Sequence, residues 1–252
     1  MRRDACLLLV VAMISTAAQA ARPLTVDDAA PVGKGQFQLM TGVLYKSDSS
    51  MALWDTPSTL GFGLIDKLEV GIGFGCQCLW THESSDGDST DFGADDLFPY
   101  AKWQLLTQEK AGVDLTLLPS VKIPIADHDE GLGSGKVDYN LLLIATRQLN
   151  DVLAMDFNIG YSWIGRTGDD DDPSTDVLFY GTALRYQMTE TFQLVGEIYG
   201  LDAVSDGHTQ GIVNAGVRWQ FAKSLALDAA LGTGLGGDAP DVIATTGLTW
   251  NF

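Results

Sequence analysis

Apolar and polar positions alternate along almost the whole chain beyond residue 33. The pattern is cleanest at the end. Val242, Ala244, Thr246, Leu248, Trp250 and Phe252 share one parity, and Asp241, Thr245, Gly247, Thr249 and Asn251 share the other, with Ile243 an apolar exception. A period of two is the signature of a β-strand, because successive side chains point to opposite faces. The same alternation predicts eleven earlier strands, at 36–46, 58–64, 68–80, 97–106, 113–123, 137–148, 152–163, 177–188, 191–201, 211–221 and 224–232. Most approach the 9–11 residues that cross a bilayer at a tilt. Pro57 limits where the second can begin pairing.

The connections set the class. Short links follow the even strands (65–67, 107–112, 149–151, 189–190 and 222–223), and long ones follow the odd strands (47–57, 81–96, 124–136, 164–176, 202–210 and 233–240). Strict short–long alternation is how an up-and-down barrel of the outer-membrane type is wired, with short periplasmic turns and long external loops. A soluble antiparallel sheet also alternates, with its apolar face inward. Here the apolar faces end on aromatics (Tyr45, Trp80, Trp163, Tyr186, Trp219, Trp250), as an interfacial girdle requires. The expectation is therefore an all-β, twelve-stranded antiparallel transmembrane β-barrel whose terminal Phe252 sits at the periplasmic interface.

The first twenty residues stand outside this pattern. Arg2 and Arg3 precede an apolar run from Ala5 to Ile14, and Ala18-Gln19-Ala20 supplies small residues for cleavage. This reads as a secretory signal peptide with Ala21 as the new N-terminus, and hence as Sec-type export in a Gram-negative cell. No small-residue site precedes Cys6, which argues against a lipoprotein. A polar arm, 21–33, links the leader to the barrel region, 34–252. No other segment has the roughly 18 apolar residues of a membrane helix.

Charge narrows the partners. The chain has 33 acidic and 15 basic residues and a net charge of −18, one unit more negative once Arg2, Arg3 and Asp4 leave, which excludes nucleic acid. Cys76 and Cys78, on one face of one strand, lie roughly 6.5–7 Å apart by the strand rise, at the limit of a disulfide. They read as small wall residues, with a CxC metal or redox site as the sharper alternative.

Several stretches then resemble one family, the outer-membrane transporters grouped under MetA-pathway of phenol degradation. They are 22–35 leading into the first strand, 59–70 across the first short turn, 93–96, Lys122-Ile-Pro-Ile-Ala-Asp127, and 131–138. The resemblance spans the whole mature chain and rests on turn and strand patterns. It implies an outer-membrane barrel passing small molecules, aromatic or poorly polar. One departure is Pro124-Ile125-Ala126, where the family has Pro-Thr-Gly. A non-transporting structural or adhesive barrel is the alternative.

The inward parity holds the candidate pore-lining residues Glu69, Lys102, Asp114, Lys122, Asp138, Asp156, Arg185, Glu197, Arg218 and Asp228. They predict a polar path, with cross-lumen ion pairs in a closed barrel as the competing reading. Lumen-facing glycines (Gly61, Gly63, Gly71, Gly73, Gly75, Gly160, Gly181, Gly216, Gly232) leave room and favour a narrow channel. The arm is too short for a plug domain, though it can tuck into the periplasmic opening. The long loops are acidic, with Asp169–Asp172 and the run Glu83–Asp91 the densest stretches. Such a mouth prefers cations, and divalent cations can bridge it to lipopolysaccharide. An EF-hand spacing is absent, so no resident metal or cofactor is expected. His82, His128 and His208 lie in loops without a nucleophile spacing, so no catalysis is expected. A monomer is the expected assembly.

Overall fold

A computed structural model describes residues 22–83, 87–166, 175–204, 207–236 and 239–252. The proposed leader and the Asp169–Asp172 run lie outside the described residues. The strands are β1 (Phe37–Ser47), β2 (Met51–Asp55), β3 (Ser58–Ile65), β4 (Leu68–Phe74), β5 (Cys76–Glu83), β6 (Gly87–Ala94), β7 (Phe98–Leu106), β8 (Asp114–Lys122), β9 (Asp138–Asn150), β10 (Leu153–Trp163), β11 (Val177–Gln187), β12 (Phe192–Ala203), β13 (Thr209–Ala222), β14 (Leu225–Gly234) and β15 (Val242–Asn251). One helical turn, Gln108–Ala111, sits in the link after β7. No helix among the described residues is long and apolar enough to cross a membrane.

The sheet runs β15-β14-β13-β12-β11-β10-β9-β8-β7-β4-β3-β1, and β1 pairs again with β15 to close it. Closure leaves this ring without a free edge, the only way a sheet can stand in hydrocarbon. Three staves are each built of two strands, β2 with β3, β4 with β5 and β6 with β7, so the ring has twelve staves. At the long-loop end β1 pairs β2, and β2-β5-β6 continue the wall. The break at Thr56-Pro57 costs only one rung. Thr56 N–H donates to the Cys76 carbonyl at 2.9 Å, and Cys76 N–H donates to the Thr56 hydroxyl at 3.0 Å.

Two expected loops are thereby corrected. The 47–57 link contains β2, and the 81–96 link contains the end of β5 and all of β6. Pro57 reads as a stop in the sequence, but the hydroxyl of Thr56 bridges the gap. The Gly/Ser/Asp-rich 87–94 segment reads as loop, yet its pairing with β5, from Cys76↔Ala94 to Glu83↔Gly87, holds it extended.

The closing seam confirms the parity of the last strand. Thr249 is 1% exposed and Trp250 is 42% exposed. Phe37 and Phe252 exchange backbone hydrogen bonds of 2.8 and 2.9 Å, and their rings stack at 5.5 Å. Trp250, Trp219, Phe221, Tyr186 and Trp103 stand exposed near the short-turn end; Trp54, Tyr139, Trp163 and Tyr180 stand exposed toward the other. These are the two interfacial belts of a membrane barrel.

The core lies inside the barrel. Leu118, Leu142, Ile144, Phe179, Tyr199, Leu201, Ile212 and Ile243 point inward and are buried together with Leu24, Val26 and Ala29 of the arm. The parity exception Ile243 is thus an inward residue, 4% exposed. A second cluster of Met51, Leu53 and Leu79 receives Ala126 and Leu132, so the 124–136 loop folds into the long-loop mouth. Asp96 fixes it there by accepting the N–H groups of Ile125 and Ala126, both at 2.9 Å.

Candidate functional site: an occupied lumen

The arm does more than tuck into an opening. From Gly35 back to Arg22 it runs around the inside of the wall, and successive staves hold it. Gly35 N–H donates to the Gly63 carbonyl of β3 at 2.7 Å. Val32 N–H donates to Glu69 of β4 at 2.8 Å. Ala29 donates to the Thr146 hydroxyl of β9 at 2.8 Å and accepts from the Thr116 hydroxyl of β8 at 2.6 Å. Asn158 of β10 takes both backbone groups of Asp27: its amide oxygen accepts from the N–H at 2.8 Å, and its nitrogen donates to the carbonyl at 2.8 Å. Glu197 of β12 accepts from Thr25 and Val26 N–H at 2.7–2.9 Å. Arg22 closes the circuit on Asp228 of β14 at 3.3 Å and on Thr245 of β15 at 2.9 Å.

Charges match as well. Lys102 donates to Asp27 at 2.9 Å, and Arg185 stands 3.7 Å from Asp28. Arg185 also binds Asp156 through two bonds of 2.6 and 2.9 Å. Such paired, hydrogen-bonded charges are the form in which ionised groups persist out of water. Asp27 and Val26 are each 1% exposed.

The ten sequence-predicted residues therefore divide. Glu69, Lys102, Arg185, Glu197 and Asp228 touch the arm, and Asp156 supports it through Arg185 and through Thr146, whose hydroxyl donates to it at 2.6 Å. Lys122 and Asp138 pair with each other at 2.6 Å nearer the long-loop mouth, with Asp96 3.7 Å from the same ammonium. Asp114 serves the short-turn end, accepting Gln108 N–H at 2.8 Å. Arg218 stands opposite Asp228 in the β13–β14 register.

The glycines need a different reading from free space. A Cβ at Gly42 or Gly247 would collide with the Arg22 guanidinium, one at Gly61 or Gly71 would meet Tyr100 or Glu69, and one at Gly181 would meet Val26 and Tyr199. They make room for the arm and for large inward side chains. The inner wall mixes polar with apolar side chains: Lys46, Asp55, Gln77, Ser120, Lys122 and Asp138 are buried in its long-loop half, alongside Leu118, Leu142, Phe179 and Leu201. Asn158, Thr116, Thr146, Asn214 and Tyr100 were not marked as site residues. Arg22, Asp27 and Asp28 of the arm complement charges on the inward parity, a match that shows only once their distant partners are known.

The other candidates stay apart. Among the described residues no group of three or more His, Cys, Asp or Glu is placed to hold a metal ion. Cys76 and Cys78 are free thiols on the outward parity. His128 Nδ1 is 3.1 Å from the Gly133 carbonyl of its own loop.

Comparison with known proteins follows the architecture. One family, described as "Putative MetA-pathway of phenol degradation", matches residues 20–252. The solved COG4313 outer membrane channel of Pseudomonas putida F1 superposes with a TM-score of 0.66 at 17% identity, covering 89% of this chain and 98% of that one. The NanC porin gives 0.63 at 9% identity, covering 84% and 98%. The β domain of the Bordetella autotransporter BrkA gives 0.55 at 11% identity, covering 88% and 100%. At these identities the likeness is one of fold. No curated protein sequence matches.

Proposed function

The chain belongs to the MetA-pathway of phenol degradation family, and from that premise we propose that it is an outer-membrane channel for small, poorly polar molecules, closed at rest by its own N-terminal arm. One observation carries the reading. The arm is held against the wall by hydrogen bonds and ion pairs with no covalent cross-link, and beyond it the inner wall carries the apolar side chains of Leu118, Leu142, Phe179 and Leu201 beside the buried Lys122–Asp138 pair. Apolar stretches of this kind suit a ligand with little hydration to lose. The solved relatives named as a channel and a porin share the fold.

Transport then requires the arm to shift, and residues that grip it act as the latch. Residues 1–20 are read as an export leader, the short turns as periplasmic and the acidic loops as external. Lipid and lipopolysaccharide surround the barrel, with divalent cations bridging the loops to the latter. No catalysis is assigned.

The arm lying inside the barrel gives specific support to the alternative, a structural or adhesive barrel that transports nothing. Planar-bilayer recording separates the two. The channel reading expects small, brief conductance from the wild type, a several-fold larger and steadier conductance after deletion of residues 22–32, and slower uptake of labelled phenol or toluene by cells lacking the protein. A barrel that stays silent after the deletion, with no uptake defect, would refute transport.

A further inference from the structure

Two of the buried side-chain atoms left without a hydrogen bond stand next to each other on one rung. The Ser120 hydroxyl of β8 and the Asn140 amide nitrogen of β9 are buried without a hydrogen bond. They lie side by side, because Ser120 and Asn140 are direct partners in the β8–β9 register, which sets their Cβ atoms about 4.5–5.5 Å apart on one face. Ser162 of β10 is Asn140's register partner on the other side, so the rung carries a third inward polar group. One step toward the short turns stand Leu118 and Leu142, also register partners and 1% and 7% exposed. One step toward the mouth stands the Lys122–Asp138 pair.

Tyr100 does not take the space. It is Ser120's register partner on β7, but its ring leans over Gly71 and its hydroxyl donates to Glu69 at 2.5 Å. Native interiors leave few buried polar groups unmade, and adjacent unmade ones beside the apolar Leu118–Leu142 pair resemble the make-up of small-molecule sites, where a few placed polar groups stand among apolar side chains. A serine oxygen accepts a hydrogen bond and a primary amide donates one. Turning the amide over exchanges the roles, and the pair still offers one donor and one acceptor.

We propose that Ser120 and Asn140 form a subsite that reads the hydroxyl of a neutral, otherwise apolar small molecule, of which phenol is the simplest probe. The inference rests on the channel reading and adds a specificity to it. A carboxylate ligand is disfavoured, because the nearest cation, Lys122, is already held by Asp138 at 2.6 Å and Asp96 at 3.7 Å.

Calorimetric titration of the mature protein in lipid nanodiscs, with empty nanodiscs subtracted, tests it with phenol, toluene and benzoate. A hydrogen bond gained in a buried site predicts saturable phenol binding about five- to tenfold tighter than toluene, with benzoate not bound. Ser120→Ala and Asn140→Leu should each bring the phenol-to-toluene ratio close to one with toluene affinity unchanged. Ser120→Thr, which keeps the hydroxyl, should retain the preference and guards against a misfolded alanine variant. Equal binding of phenol and toluene by the wild type, or a ratio that survives Ser120→Ala, would mean that only water satisfies the pair, overturning the subsite while leaving the channel intact. Binding of neither compound would overturn the apolar path and the subsite with it.

Discussion

Asn158 shows how one side chain latches the arm. Its amide satisfies both backbone groups of Asp27, deep enough that no water replaces it. Asn158→Ala leaves a donor and an acceptor buried and unmade, at about 1–3 kcal/mol each. The closed arm should lose that bias, and conducting events should become roughly tenfold or more frequent, since 1.4 kcal/mol is a factor of ten. Unchanged gating would show that the arm is held elsewhere. Gly247 makes the complementary case. A side chain there would displace the Arg22 guanidinium and with it the contacts to Asp228 and Thr245. Gly247→Val should therefore raise the open fraction as Arg22→Ala does, and the double variant should add little to either, the mark of two residues sharing one interaction. Full additivity in single-channel records would contradict that coupling. The glycine pattern was plain in the sequence, but its meaning was not. A missing side chain on an inner wall fits empty space and close approach equally well, and only the position of Arg22 decides between them.

At the scale of elements, legibility followed sequence distance. The staves could be read because a period of two is local and survives along each strand. The arm could not, because its partners lie far away: Val26 binds Glu197 across 171 positions and Arg22 reaches Asp228 across 206. Nothing local distinguishes a polar linker from a segment whose charges match a distant wall. The split staves failed for a related reason. Pro57 and the Gly/Ser/Asp composition of 87–94 are real local penalties, but pairing with β5 and burial of the 124–136 loop outweigh them. That loop gives a test. Leu132 is 1% exposed against Met51, Leu53 and Leu79, so Leu132→Ala should cost about 2–5 kcal/mol of local packing. The expected result is faster proteolysis within 124–136, while the barrel keeps its heat-resistant migration on gels. Equal cleavage of variant and wild type would mean the loop is anchored by its polar contacts, those of Asp96 and of Gln77 with the Leu132 carbonyl, rather than by Leu132 packing.

The whole molecule carries its excess of negative charge largely on its long loops. Many mouth carboxylates also serve as structural acceptors. Asp48 takes Ser50 and Met51 N–H at 2.7 and 2.9 Å, and Asp176 takes Ile164 N–H at 3.1 Å. A mouth of one sign raises the local concentration of counter-ions. With the arm deleted the pore should prefer cations. The preference should be strong near 0.01 M salt, where the field reaches about 30 Å, and nearly gone near 1 M, where it reaches about 3 Å. Acid should weaken it further, because each protonated carboxyl removes a negative charge. Glu130 belongs to the first groups to do so, since a hydrogen bond with Asp91 and the neighbouring charges of Asp91 and Asp127 hold its carboxyl above the ordinary value. Reversal-potential measurements across a salt gradient check both dependences. Anion preference at low salt would place the controlling charge inside, on Lys102 and Arg185 freed from Asp27 and Asp28, and would mean that the arm masks the selectivity of the pore as well as closing it. Replacing those two cations would then have to abolish the anion preference, and that second result distinguishes an internal filter from an acidic mouth.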